Sequence, residues 1–385
     1  MFAFVGGRSK PSLGGVFNGS GDGVYAFRFS TNGDFDYIAT FPLPDPTFLV
    51  VSTKRRILYA GSHSVKFEGQ PGAGVTALRI NDDGSLTKLS AQRVVYPHVT
   101  MVALDADERF LLAASSLGGA VTLIPLDDSG ALCDPTDAAR FAGEVVIRVG
   151  ETPDPKWYPG MAPGTTITRL PSFMDNTIPH CVRVTRDGRW VLVADLGKSA
   201  IHIVGLDAAG HSFTTRASYP MRPQSGPRTL ELHPNGRTIF AINELDCSVS
   251  SFKFDSVDGT IKEDFFLSCL EKPTANSRGT GIVLHPSGRY LWTSHRGHNS
   301  ISMFRVGMTG ALRFIDNRSA GGEGPNHLAV TPDGSRLVSS NVHTETLTIF
   351  LIDIQTGSLT VERSIHVAAS CCVFLAGDDS ASGKV

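Results

Sequence analysis

The sequence predicts an all-β fold: a closed, seven-bladed propeller of four-stranded antiparallel blades. Three observations predict it. A unit of alternating apolar strands and Gly-bearing turns recurs along the chain; 40 glycines and 22 prolines supply many turns rather than long helices; and the last unit has a strand to spare that the first unit lacks. The whole chain, 1–385, is read as one domain.

The recurring unit is plainest in Gly226 to Asp255, GPRTLELHPNGRTIFAINELDCSVSSFKFD, and in Pro179 to Asp207, PHCVRVTRDGRWVLVADLGKSAIHIVGLD. Further copies begin near Pro46, Pro97, Gly279 and Pro325. Each reads as an apolar strand, a tight turn, a second strand, a polar loop and a third strand, with a fourth strand after a second turn such as Asp258-Gly259 or Thr356-Gly357. Four antiparallel strands make one propeller blade. The seventh blade is split: Phe2 to Gly6 and Val24 to Phe41 supply three strands, and Val367 to Leu375 the innermost one. Joining the ends removes the sheet edges that an open array leaves exposed. The step from Pro97 to Pro179 is long because of a Pro- and Gly-rich insertion, 150–176, expected to hang over the mouth that holds the site.

Charge and cysteine usage narrow the function. The formal charge is -2, with acidic and basic residues mixed and no basic stripe for a phosphate backbone, so nucleic acid is excluded as a partner. There is no apolar run of membrane-spanning length, and Met1 to Lys10 lacks the charged-then-apolar pattern of an export signal. The expectation is a soluble, cytoplasmic protein without membrane contact. The six cysteines have neither paired nor metal-ligand spacing, and are read as reduced thiols. No metal and no cofactor is expected, and the sequence leaves the oligomeric state open.

In each unit the start of the first strand and the end of the second lie at the mouth opposite the tight turn. Aligning the units on their turns places Thr47, His98, His180, Arg228, Thr280 and Asn326 in one ring, and His63, Glu244 and Arg296 in a second. Immediately before the second ring come Asp195, Asn243, His295 and Asn341. His180, Arg228, Glu244 and Arg296 thus converge from three consecutive blades and are the candidate catalytic residues. His98, Asp195, Asn243, His295, His298, Asn326 and, in the insertion, Trp157 are the candidate substrate contacts. Histidines crowd this mouth, but without the pairings that hold a metal. His233 and His285 precede the tight turns, and Trp190 and Trp292 lie in second strands; all four read as structural.

The runs Gly226-Pro227-Arg228 with His233-Pro234, Asn243-Glu244-Leu245, Pro179-His180 and Arg296-Gly297 resemble the seven-bladed lactonase family, which includes 6-phosphogluconolactonases and carboxy-cis,cis-muconate cyclases. The resemblance spans nearly the whole chain. It implies a small-molecule lactone or carboxylate substrate, with His180, Arg228, Glu244 and Arg296 as the active-site group. Thr229, where the family often has His, and the long insertion depart from its pattern and bear on the substrate. The chemistry fits the residues. Two guanidiniums can hold an acyl oxygen or a carboxylate, Glu244 can take a proton from water, and His180 can orient or relay it. The expected activity is hydrolysis of a sugar-acid lactone such as 6-phosphogluconolactone. Lactone-forming cyclisation of a muconate and a non-catalytic scaffold are the alternatives, and an ion pair tying strands of one blade is the structural alternative for Arg228 and Glu244.

Overall fold

The computed structural model describes residues 1–9, 20–30, 32–141, 177–274 and 276–376. The insertion 150–176, with Trp157, lies outside the described residues, so its expected position over the mouth has no counterpart here. The described residues form seven four-stranded antiparallel sheets and one two-stranded hairpin, Lys66–Phe67 with Gln70–Pro71. Six blades run inside to outside in chain order, with innermost strands Pro46–Ser52 (blade 1), Val99–Leu104 (blade 2), Pro179–Val184 (blade 3), Pro227–Leu232 (blade 4), Arg278–Leu284 (blade 5) and Pro325–Val330 (blade 6). In blade 7 the C-terminal strand Ser370–Ala376 is innermost and pairs with Phe2–Gly7, followed outward by Gly23–Phe29 and Phe35–Pro42. The ring therefore closes by pairing the two ends of the chain.

Alternation along the strands puts apolar side chains on both blade faces, so the core is a set of blade-to-blade interfaces. Aromatic residues of second strands also reach the neighbour's outer turn. Trp190 Nε1 donates to Ser256 O at 2.9 Å, Trp292 Nε1 to Gly357 O at 3.2 Å, and Tyr59 Oη to Gly130 O at 2.8 Å. At the tight-turn mouth, His233 and His285 hydrogen-bond the turn carbonyls of the following blades, Gly288 and Gly334, at 3.2 and 3.1 Å. These four Trp and His side chains hold blade to blade, as expected. Among the described residues no helix is long and apolar enough to cross a membrane.

One backbone feature repeats in every blade and builds the site. Near its start each innermost strand carries a register shift, so that an extra residue bulges from the ladder. A bulge breaks the two-residue alternation and re-aims a side chain. The displaced residues are Thr47, Thr100, His180, Arg228, Thr280 with Gly281, Asn326 and Cys371, and all of them line one cavity on the channel axis.

Candidate active site at the channel mouth

The bulge ring corrects the ring expected for blade 2. Its member is Thr100, not His98, because Pro97 does not mark the strand start as Pro179 does; pairing begins at Val99 with Ser115. His98 precedes the strand with a left-handed φ of 60°, the place taken by Gly226 and Gly324 in blades 4 and 6. Its ring instead lies 4.0 Å, centre to centre, from that of His63, a cavity residue.

Most ring members fasten one blade to the next. Thr47 Oγ1 donates to Val99 O at 3.1 Å, Thr100 Oγ1 to Pro179 O at 3.3 Å, Thr280 Oγ1 to Pro325 O at 2.7 Å, and Asn326 Nδ2 to Cys371 O at 2.8 Å. In blade 4 this latch moves one residue on, to Thr229, whose Oγ1 donates to Thr280 O at 3.2 Å. Arg228 is thereby released to the channel. Its Nη1 donates to Glu244 Oε2 at 2.6 Å and its Nη2 to Asn326 Oδ1 at 3.2 Å. Asn326 is thus a brace for Arg228 as well as a blade latch. The turn into Arg228 requires a glycine: Gly226 has φ +63°, and an added Cβ would meet Leu245 at 2.6 Å.

A second ring forms one residue beyond the second strand in six blades and at that strand's last residue, Arg296, in blade 5. The backbone N–H of His63, Ser116, Leu196, Glu244 and Val342 each donates to the residue preceding its blade's innermost strand, at 2.7–3.0 Å. Arg8 does the same in blade 7, donating to Ala369 O at 3.1 Å. Sequence reasoning missed Arg8 because its blade is split between the termini. Counting one residue past Phe2–Gly7 would have found it. Glu244 is the ring's anion. Besides Arg228 it pairs with Arg296, Nη2 to Oε1 at 3.7 Å, and the three side chains are only 11–17% exposed.

The residues directly before this ring turn the other way, as strand alternation demands. Asp195, Asn243, His295 and Asn341 are fully buried in their own blades. Asp195 accepts from the backbone N–H of Ile178 at 2.8 Å and of Lys198 at 3.0 Å, bonds His202 Nε2 at 3.0 Å, and accepts from Thr177 Oγ1. Asn243 Nδ2 donates to Ser248 and Ser250 at 2.9 and 3.1 Å, and His295 Nε2 bonds Thr293 Oγ1 at 2.9 Å. Three expected substrate contacts, Asp195, Asn243 and His295, thus shape the mouth from behind. His298 bonds Ser300 at 2.7 Å and does not line the cavity.

Electrostatics follow from this packing. Burial pushes the Glu244 carboxyl up, but Arg228, Arg296 and His180 together outweigh it and hold the group at about 2. Burial, with Arg228 beside it, brings the His180 imidazole down to about 3, so the ring is neutral at pH 7; its Nδ1 is buried and has no hydrogen-bond partner. Burial lowers Arg296 to about 10, still a cation. Among the described residues no three metal-capable side chains gather. Larger concavities, about 440 and 710 Å³, lie among residues of the tight-turn mouth and of the outer strands and turns. Neither is lined by His180 or Arg228, whereas the axial cavity is lined by both, with Arg228 carrying the ion pair to Glu244 at its edge, so chemistry rather than volume selects it.

Comparison with known proteins agrees with this architecture. The chain is 27% identical over 367 residues to the 6-phosphogluconolactonase of Bacillus subtilis, covering 94% of this chain and 96% of the relative. It is 24% identical over 348 residues to that of Formosa agariphila, covering 88% and 91%. The solved structure of the periplasmic gluconolactonase of Pseudomonas aeruginosa superposes with a TM-score of 0.82 at 21% identity, covering 98% of this chain and 99% of that one, a likeness of fold. The family model described as lactonase, 7-bladed beta-propeller, matches residues 3–375, every blade and the closing strand included. The chain therefore belongs to the lactonase family of seven-bladed β-propellers.

Proposed function

We propose that this protein hydrolyses a sugar-acid lactone, with 6-phosphogluconolactone as the leading substrate. The observation that carries the reading is the buried carboxylate of Glu244 held between Arg228 and Arg296 at the channel mouth, with the imidazole of His180, whose Nδ1 has no hydrogen-bond partner, in the same electrostatic cluster. The names of the Bacillus and Formosa relatives support the substrate class.

In the resting site Glu244 is ionised but weakly basic, because two guanidiniums stabilise its charge. An entering lactone carbonyl offers those guanidiniums a second oxygen, and one that gains negative charge as water attacks. As Arg228 and Arg296 turn toward it, they stabilise the oxyanion and relax their hold on Glu244. The carboxylate then becomes basic enough to take the proton from the attacking water. Neutral His180 orients that water through Nδ1. Collapse of the tetrahedral intermediate expels the ring oxygen, which takes the proton back from Glu244, restoring the carboxylate and leaving the open hydroxy acid. No covalent nucleophile is needed, since sugar lactones are already reactive esters.

A phosphorylated lactone does not cross a bilayer unaided, because transferring its charge into hydrocarbon is too costly. That substrate would place the reaction in the cytoplasm. The test is acid release by purified protein from 6-phosphoglucono-, glucono- and galactono-lactones and muconolactones, each against spontaneous hydrolysis. Hydrolysis of at least one sugar lactone well above background is expected. Silence on all of them, with lactone formation from a carboxymuconate, would replace this reading with cyclisation.

A further inference from the structure

Beside and just inward of the bulges, the innermost strands lay a floor under the axial cavity, to which Phe48, Met101, Thr229, Gly281 and His327 contribute from blades 1, 2, 4, 5 and 6. Phe48 and Met101 are apolar, Gly281 has no side chain, and the Thr229 hydroxyl is committed to Thr280 O. Among these residues His327 alone brings an uncommitted polar group.

The imidazole is held from several sides. An added Cβ on Gly281 would lie 3.3 Å from His327 Cα and 2.8 Å from Ser294 Oγ, so the bare backbone of blade 5 lets blade 6 close in here. The ring reaches past blade 7 to blade 1, where it meets Phe48 edge to face with centres 5.4 Å apart. On the way, the Val373 N–H of blade 7 donates to Nδ1 at 3.5 Å. That contact selects the tautomer, because a proton on Nδ1 would point at the amide hydrogen; the neutral ring carries its proton on Nε2. Among the described residues Nε2 has no hydrogen-bond partner, and it is open to the cavity. The two nitrogens of an imidazole face nearly opposite ways, so Nε2–H turns away from blade 7, to the side from which Arg183 and Arg228 act on the ring. Burial, and then those two cations, bring the imidazole down to about 4, so it is neutral at pH 7.

We propose that His327 donates from Nε2–H to the acyl oxygen of the lactone, beside the Arg228 guanidinium. The inference rests on the lactonase reading above and adds to it a residue that acts on the reacting atoms. The cavity holds only about 60 Å³, so one small polar end of a ligand reaches its floor, and the group that Arg228 holds is that end. A fixed N–H dipole suits an oxygen that gains charge, because nothing has to reorganise as water attacks.

The experiment compares wild type, His327→Gln and His327→Asn on 6-phosphogluconolactone and gluconolactone at pH 7. Gln can place an N–H where Nε2 stands, whereas Asn can place an oxygen where Nδ1 stands and has nothing at Nε2. The pair thus separates donation to a ligand from acceptance of the Val373 N–H. His327→Asn is expected to lower kcat about 10²- to 10³-fold with KM little changed, as removal of one oxyanion donor does, and His327→Gln to keep a larger share of kcat. Wild-type kcat in a folded His327→Asn protein, or rescue by Asn rather than Gln, makes the role structural and overturns the proposal. A second measurement does not depend on turnover. Nitrogen–proton correlation spectra of the histidine rings, with His327 assigned by its absence from His327→Asn, should show a protonated Nε2 and a bare Nδ1, and the Nε2 resonance should move when gluconate, the carboxylate product, is added. A proton on Nδ1, or an Nε2 resonance that gluconate leaves in place, overturns the proposal whatever the activity. If the wild type hydrolyses neither lactone, the lactonase reading fails by itself, and these spectra still decide His327.

Discussion

Replacing Glu244 by Gln removes one negative charge from between two largely buried guanidiniums and keeps the volume and one accepting oxygen. The carboxyl sits at about 2 against an ordinary 4.5. By linkage that gap corresponds to about 3 kcal/mol of native-state stabilisation at neutral pH, in line with the ~3–5 kcal/mol cost of breaking a buried pair. For a chain of 385 residues, with an unfolding entropy of about 0.8 kcal/mol/K, the expected fall in Tm is about 4 °C. The partly exposed alternative, a pair worth ~0–1 kcal/mol, is ruled out by the 11% and 12% exposures of Arg228 and Glu244. Because the native group is depressed, its contribution is complete above pH 4.5 and is lost only as pH falls toward 2. Urea unfolding of wild type and Glu244→Gln at pH 8 and pH 6 should therefore give the same difference at both. A difference below about 0.5 kcal/mol would mean that the ion pair is not a stabilising element and that the linkage argument fails.

Burial pushes the imidazoles of His63, His98, His180, His295 and His327 below their ordinary 6.5. Through titration each leaves stability untouched well above pH 6.5 and lowers it below, by about 0.7 kcal/mol between pH 7 and pH 6, so five together should cost roughly 3 kcal/mol there. A urea midpoint unchanged between pH 7.5 and pH 6 would contradict their neutral burial. Deleting the last 18 residues removes Ser370–Ala376, the innermost strand of blade 7, and is expected to leave an open ring that unfolds or aggregates; a cooperative monomer with wild-type Tm would refute closure as the stabilising device. Asp195→Asn should lower stability by about 1–3 kcal/mol through its network with Ile178, Lys198 and His202, while KM for the substrate changes little; a KM effect larger than the stability effect would return Asp195 to the binding surface.

The blade count, the strand order and the closure were legible because each rests on a local signal that recurs: turn glycines, two-residue alternation, and a first unit short of a strand. The site was legible only in part. Arg228, Glu244, Arg296 and His180 could be brought together by counting from turns, since those turns are evenly placed. The proline of Pro97-His98 broke the count, because a proline before a strand looks the same whether it sits at the bulge or two residues earlier. Asp195, Asn243 and His295 were drawn to the mouth by being next to mouth residues, yet adjacent strand positions face opposite ways. That Asn326 braces Arg228, and that Thr229 takes over the blade latch, depend on bulge geometry that leaves no mark on composition. Arg8 was hidden because its repeat partner lies more than 350 residues away at the other terminus, next to Cys371.

The central claim is that Glu244 accepts a proton from water during lactone opening, and the most direct measurement is the turnover of 6-phosphogluconolactone by Glu244→Gln beside wild type. Both proteins are assayed at pH 7, well below the variant's melting temperature and with spontaneous hydrolysis subtracted. The account expects kcat to fall about 10²- to 10⁴-fold, as loss of a general base does. Wild-type turnover by a folded Glu244→Gln protein, even one with a lowered Tm, would make the pair with Arg228 and Arg296 structural and contradict the account.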